Sequence, residues 1–118
     1  LAQALYAQAD IGPADIDVAQ FYDHFSGMVL LALEDFGFCQ PGAAGRYVLD
    51  GHIGRGGSLP LNTAGGSLSE AYVHGLNHVL EGVRQLRGTS TSQVPGAQWC
   101  LVTAGSGIMP SSGLILRG

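Results

Sequence analysis

The chain has 118 residues, enough for one domain with a core of its own and too few for a second. Hydrophobic residues make up 46% and charged residues 12%, an apolar balance that points to surfaces covered by other parts of an assembly. A net charge of −4, with five scattered arginines and no lysine, argues against nucleic acid; no 18-residue apolar run or leader pattern is visible, and Cys39 and Cys100 form neither a disulfide framework nor a metal signature, so the sequence reads as intracellular and cytoplasmic.

Residues 1–9 carry alanine and leucine at helical spacing ahead of Gly12 and Pro13, a stop-and-turn pair, and predict the last turns of a helix. Because the chain opens inside that pattern, it reads as the C-terminal piece of a longer polypeptide. Residues 16–22 predict a buried strand, with Val18, Gln20 and Tyr22 on one face and Ala19 and Phe21 on the other. Asp23 is placed to cap a helix over residues 24–36, in which Phe25, Met28, Val29, Ala32 and Phe36 share a face and after which Gly37 is the stop. Residues 38–62 are rich in glycine and read as a loop, with room for a short strand over 59–61. The stretch GHIGRGG within it lacks both the preceding strand and the following Gly-Lys-Ser or Gly-Lys-Thr of a phosphate loop.

Ser67 and Glu70 have the capping-box spacing and predict a helix start near Leu68. Leu68, Tyr72, Leu76, Val79, Val83 and Leu86 then recur at helical spacing, which places Tyr72 in the first turns on or beside the apolar face, with Gly88 as the stop. A polar link over 89–98 leads to two apolar runs, 99–104 and 113–117, that read as an antiparallel pair. The order is α/β with a mixed sheet flanked by helices, in a single domain over residues 1–118.

Three segments carry a family resemblance. The stretch PLNTAGGSLSEAYVHG, residues 60–75, resembles the thiolase-superfamily pattern N-x-x-G-G-x-x-x-x-G-H-P, most closely in its sterol-carrier and lipid-transfer branch. In that frame the family's catalytic histidine falls on Tyr72, its proline on Val73 and the preceding glycine on Ala71. DVAQFYDHFSG resembles the segment that reads Asn-Glu-Ala-Phe in conventional thiolases and His-Asp-Cys-Phe in the sterol-carrier branch; here it is Tyr22, Asp23, His24, Phe25. TAGSG, residues 103–107, resembles the Cys-x-Gly-x-Gly motif, with Gly105 and Gly107 on the family glycines and Thr103 at the cysteine position.

The resemblance implies the C-terminal half of a thiolase-fold subunit, which packs on a similar N-terminal half and dimerises. Both histidine positions of the branch are tyrosine, a pattern similar to its aldolase members, which cleave β-hydroxyacyl-CoA intermediates of steroid side-chain breakdown with an OB-fold DUF35-type partner. It therefore implies retro-aldol chemistry with Tyr22 and Tyr72 as acid and base, His24 orienting, and Gly105, Ser106 and Gly107 at the substrate. The expected cofactor is none, CoA being part of the substrate, and this piece alone is expected to be inactive. A thiolase and a noncatalytic acyl-CoA binder are the alternatives. The tyrosine side chains are expected on one side of the sheet, sharing an opening with the turn at residues 105–107. Cys100 faces away from Thr103 by strand alternation and is expected in the opposite layer. His74 and His78 have the i, i+4 spacing of a metal pair but lack the glutamate of His-Glu-x-x-His, and no metal is expected.

Overall fold

The computed structural model describes residues 1–105 and 111–118. Its centre is a three-stranded mixed sheet in the order β1 (Val18–Gln20), β2 (Trp99–Gly105), β3 (Ser111–Arg117). β1 runs parallel to β2, with Val18 opposite Cys100 and Gln20 opposite Val102; β2 and β3 are antiparallel, from Trp99 opposite Arg117 to Gly105 opposite Ser111. Leu61 adds a single parallel bridge to Ala19, where the sequence leaves room for a short strand.

Alternation along β1 divides the core in two. Ala19 and Phe21 join Ile16, Leu33, Phe36, Leu59 and Leu101 beneath α1 (Ala2–Ala9), α2 (Ser26–Asp35) and α3 (Ala44–Leu49). Val18 joins Cys100 and Val102 on the other face, packed by Val79 and Leu86 of α5 (Leu76–Leu86). Phe21, Leu33 and Leu101 are wholly buried, each contributing roughly 1.5–3 kcal/mol by removal from water. Tyr6 of α1 donates its hydroxyl to the Phe36 carbonyl at 2.9 Å, and burial pushes its pKa up to about 12.

Four expectations are corrected. Residues 38–62 contain α3, whose first turn is tied across the fold by Ala44 N–H donating to Glu34 Oε1 at 3.1 Å, a contact that local sequence does not reveal. Asp23 does not cap α2, which starts after Phe25 without a side-chain cap. It instead accepts from the Ser67 and Leu68 N–H groups at 2.8 and 3.4 Å, capping the short α4 (Gly66–Ser69) from 44 residues away. The long helix expected from Leu68 is split, because the chain turns through His74 (φ 55°) and Gly75 (φ 89°) before α5 begins; Tyr72 lies in the connecting loop.

The fourth correction concerns which side of α5 is buried. Asn77, His78, Glu81 and Gln85 face inward, whereas Leu76 and Leu80 are exposed. The inward groups find partners: Thr63 Oγ1 donates to Glu81 Oε1 at 2.6 Å and accepts from Gln20 Nε2 and Gln85 Nε2, both at 2.9 Å, while Ser90 Oγ donates to Glu81 at 2.7 Å. A hydrogen-bonded polar face costs little to bury, so the inward side of α5 takes in these polar groups beside Val79 and Leu86, while Leu76, placed on the same apolar face by periodicity, is exposed.

Candidate active site

Tyr22 and Asp23 follow β1 directly, held where β1 and β2 end. Tyr22 N–H donates to Thr103 Oγ1 at 3.0 Å, and the Asn62 side chain brackets Phe21 on both backbone groups, accepting at 2.7 Å and donating at 3.0 Å. This anchors the 61–66 turn, and through it the Tyr72 loop, against the end of β1. The Tyr22 and Tyr72 hydroxyls meet at 2.7 Å and share a hydrogen bond, with ring centroids 6.4 Å apart. That hydrogen bond, then desolvation and the electrostatic influence of Tyr72 and Asp23, raise the Tyr22 pKa above its ordinary value of 10. Tyr22 is therefore protonated at neutral pH.

His24 stacks at a tilt 5.2 Å from the Tyr22 ring, and its buried Nδ1 has no partner among the described residues. Tyr22, His24, Met28, Thr103, Ala104 and Gly105 line an open cleft of about 490 Å³. Tyr72 is outside that wall and reaches it only through Tyr22. Ser106 and Gly107 lie outside the described residues.

Behind the tyrosines, sequence reasoning overlooked a buried cluster. The Asp23 carboxylate accepts from Ser67 and Leu68 N–H, and His78 Nε2 lies 3.1 Å from Asp23 Oδ1 and 3.1 Å from Ser67 Oγ. Both contacts fall on one ring nitrogen, which carries one hydrogen, so the cluster is not a Ser-His-Asp relay with the base between its partners. Burial lowers the His78 pKa, against the opposing pull of Asp23 and Glu70. The signal was the unusual side chain at His78, one turn inside a helix beside a glycine-rich loop, but its partner Asp23 is 55 residues away in the chain.

His74 and His78 do not share a helix face, since His74 precedes α5 and meets the Tyr72 ring edge-on, centroids 5.0 Å apart, while His78 is turned to Asp23. No group of three metal-ligating side chains occurs among the described residues. Cys100 faces away from Thr103 as expected, but not into the layer opposite Tyr22: it shares the α5 face, buried against Gly82 at the far end of β2, and burial pushes its thiol up to about 12. A thiol so placed is neither ionised nor near the tyrosines.

A mixed sheet between helices, with a pair of hydroxyls where two of its strands end and, among the described residues, no thiol beside that pair, is the architecture of one half of a thiolase-type fold. The chain belongs to the thiolase C-terminal domain-like family, whose pattern matches residues 2–117. It is 54% identical over 112 residues to a 17-hydroxy-3-oxo-4-pregnene-20-carboxyl-CoA lyase of Mycobacterium tuberculosis, covering 95% of this chain and 29% of that protein. It is 52% identical over 114 residues to a steroid side-chain-cleaving aldolase of Thermomonospora curvata, covering 97% and 29%. The solved structure titled "Ltp2-ChsH2(DUF35) aldolase" superposes with a TM-score of 0.96 at 50% identity, over 99% of this chain and 30% of that one. The chain thus spans less than a third of the length of these relatives.

Proposed function

We propose that this domain supplies part of the active site of an acyl-CoA carbon–carbon lyase that cleaves a β-hydroxyacyl-CoA of the steroid side-chain type by retro-aldol chemistry. The observation that carries the reading is the 2.7 Å contact between Tyr22 and Tyr72. The compound after which the mycobacterial relative is named carries a hydroxyl on C17 and the thioester carbon on C20, so the hydroxyl is β to the carbonyl. Removal of the hydroxyl proton lets that oxygen's electron pair form the C17 ketone as the C17–C20 bond breaks. The bonding pair passes into the enolate of a three-carbon acyl-CoA, and a proton returned to the enolate carbon completes the reaction.

One proton leaves the substrate and one returns, with no change of oxidation state overall, so the balanced step calls for no cofactor beyond the substrate's own CoA. A hydrogen-bonded pair of hydroxyls suits it. One oxygen receives the substrate proton as its own passes to the second hydroxyl, which delivers its proton to carbon; neither tyrosine has to persist as a costly anion. His24, whose Nδ1 has no partner among the described residues, orients the substrate oxygen from beside Tyr22, and Gly105, in the wall of the cleft, contributes to the thioester site, to which the family resemblance also assigns Ser106 and Gly107.

The rest of the polypeptide, an N-terminal thiolase-type half, packs on the outward apolar side of α5 at Leu76 and Leu80, continued by Leu68 and Val73. The whole protein is a cytoplasmic homodimer working with an OB-fold DUF35-type partner. No helix among the described residues is long and apolar enough to cross a membrane.

The test is to supply the full-length protein and its DUF35-type partner with 17-hydroxy-3-oxo-4-pregnene-20-carboxyl-CoA and, separately, with a β-ketoacyl-CoA plus free CoA. The expected result is a 17-ketone and a three-carbon acyl-CoA from the first and no reaction with the second. Thiolysis of the second would reinstate a thiolase, and binding without cleavage would make the protein an acyl-CoA binder.

A further inference from the structure

Tyr72 sits in a loop whose own residues, 71–74, are all exposed, so the loop contributes little to fixing the hydroxyl it carries. Its two ends are nonetheless tied to one carboxylate. Asp23, 3% exposed and next in the chain to Tyr22, accepts from Ser67 and Leu68 N–H in α4 ahead of the loop. His78, 1% exposed in the first turns of α5 behind the loop, places Nε2 3.1 Å from the same carboxylate. A single side chain following Tyr22 therefore sets both flanks of the Tyr72 loop.

We infer that His78 is a positioning residue for the tyrosine pair: by donating its Nε2 hydrogen to Asp23 it fixes the start of α5, and with it Tyr72, against Tyr22. This rests on the lyase reading above. His78 is not among the cleft-lining residues and touches the pair only edge-on, 6.2 Å from the Tyr22 ring, so it acts through Asp23. The titratable groups around it are Asp23 and Tyr22 after β1 and Glu70 after α4, while Glu81, further along α5, directs its carboxylate to Thr63, Gln85 and Ser90. The lowered pKa keeps the imidazole neutral at pH 7, and its single ring hydrogen is then available to Asp23. Without that hydrogen bond the buried carboxylate is short of a donor and α5 loses its tie to β1.

The experiment uses the full-length protein with its DUF35-type partner and 17-hydroxy-3-oxo-4-pregnene-20-carboxyl-CoA as probe, comparing His78→Ala, His78→Gln and Tyr22→Phe with the parent. A misplacement of about 1 Å costs on the order of 10² in rate, so His78→Ala should lower kcat about tenfold to hundredfold with KM little changed. His78→Gln, which offers an N–H at similar reach, should restore most of it. Alkaline titration at the tyrosinate absorbance gives a second readout: the step that Tyr22→Phe removes should move down in His78→Ala and return in His78→Gln.

Parent-like kcat and titration in His78→Ala would overturn the inference, as would a folded His78→Gln as impaired as His78→Ala. If His78→Ala does not fold, His78→Gln decides alone, retention of kcat and of the Tyr22 step supporting the inference and their loss overturning it. If the parent itself does not cleave the probe, the lyase reading fails. The titration then decides the positioning role: a moved step supports it and an unmoved one refutes it.

Discussion

The Tyr22 and Tyr72 hydroxyl oxygens lie 2.7 Å apart across 50 residues of sequence, one following the end of a buried strand and the other in an exposed loop between two helices. The chain holds this contact through Asn62, Asp23 and His78, none of which touches either hydroxyl. The geometry of the pair is thus a property of the surrounding hydrogen bonds more than of the tyrosines.

Replacing Tyr22 or Tyr72 by phenylalanine removes one hydroxyl and keeps the ring. The lost hydrogen bond is partly exposed and contributes at most about 1 kcal/mol to stability. The proton-transfer or oxyanion contribution typically amounts to about 10² to 10³ in rate. Steady-state kinetics on the β-hydroxyacyl-CoA, with thermal melts alongside, should show large losses in kcat and small shifts in Tm. Near-parental kcat in both variants would remove the tyrosines from the mechanism.

Two pH effects of opposite sign follow from the site. Tyr22 has a folded pKa raised above 10, so its contribution to stability is fully present below the unfolded value of about 10 and is lost as pH rises through the folded value. His78 has a folded pKa lowered below 6.5, so its contribution is present above the unfolded value and lost as pH falls from there through the folded value, because the unfolded chain takes up the proton first. Chemical denaturation across pH should show the acid slope in the parent and a reduced slope in His78→Gln. Equal slopes would mean that another group controls acid stability.

Gly66 has φ 66°, and a Cβ there would run into the Asp23 carboxylate and the Asn62 amide. Gly66→Ala should therefore cost roughly 2–4 kcal/mol from backbone strain and overpacking. It should also depress kcat at temperatures where the variant is fully folded, because the obstruction falls on the carboxylate that organises the tyrosines. A variant with parental kcat would show that the Asp23 contacts are dispensable for catalysis.

Gly82 of α5 lies over β2, and a Cβ there would come within 3.1 Å of Cys100 Sγ and 3.2 Å of Val102. Gly82→Ala should cost about 1–3 kcal/mol by overpacking, and Cys100→Ala about 1 kcal/mol by lost burial. Combined, they should cost less than the sum, because the alanine at 100 vacates the space that the new methyl needs. Cys100→Ala should leave kcat unchanged in the full-length enzyme. A dead Cys100→Ala that still folds would restore a thiolase-type role for the thiol.

Much of the fold was legible because it rests on local pattern. The alternation of Val18, Ala19, Gln20 and Phe21 gave the strand and its two faces, and the two apolar runs after residue 98 gave the antiparallel pair. Motif order pointed to Tyr22 and Tyr72. What was not legible depends on contacts distant in sequence: Asp23 as the cap of α4 instead of α2, Glu34 at the start of α3, and the break at His74 and Gly75 that takes Tyr72 out of the helix.

The sequence by itself determined the strands, most of the helices and the residue types of the site, because these follow from side-chain periodicity, glycine punctuation and motif spacing within a few residues. Tertiary structure alone decided that the polar side chains of α5 are buried and how the tyrosines meet. Both depend on satisfying buried polar groups, Glu81 and Gln85 through Thr63 and Ser90, and Asp23 through α4 and His78, and such partners are chosen by the fold and not by neighbours in the chain.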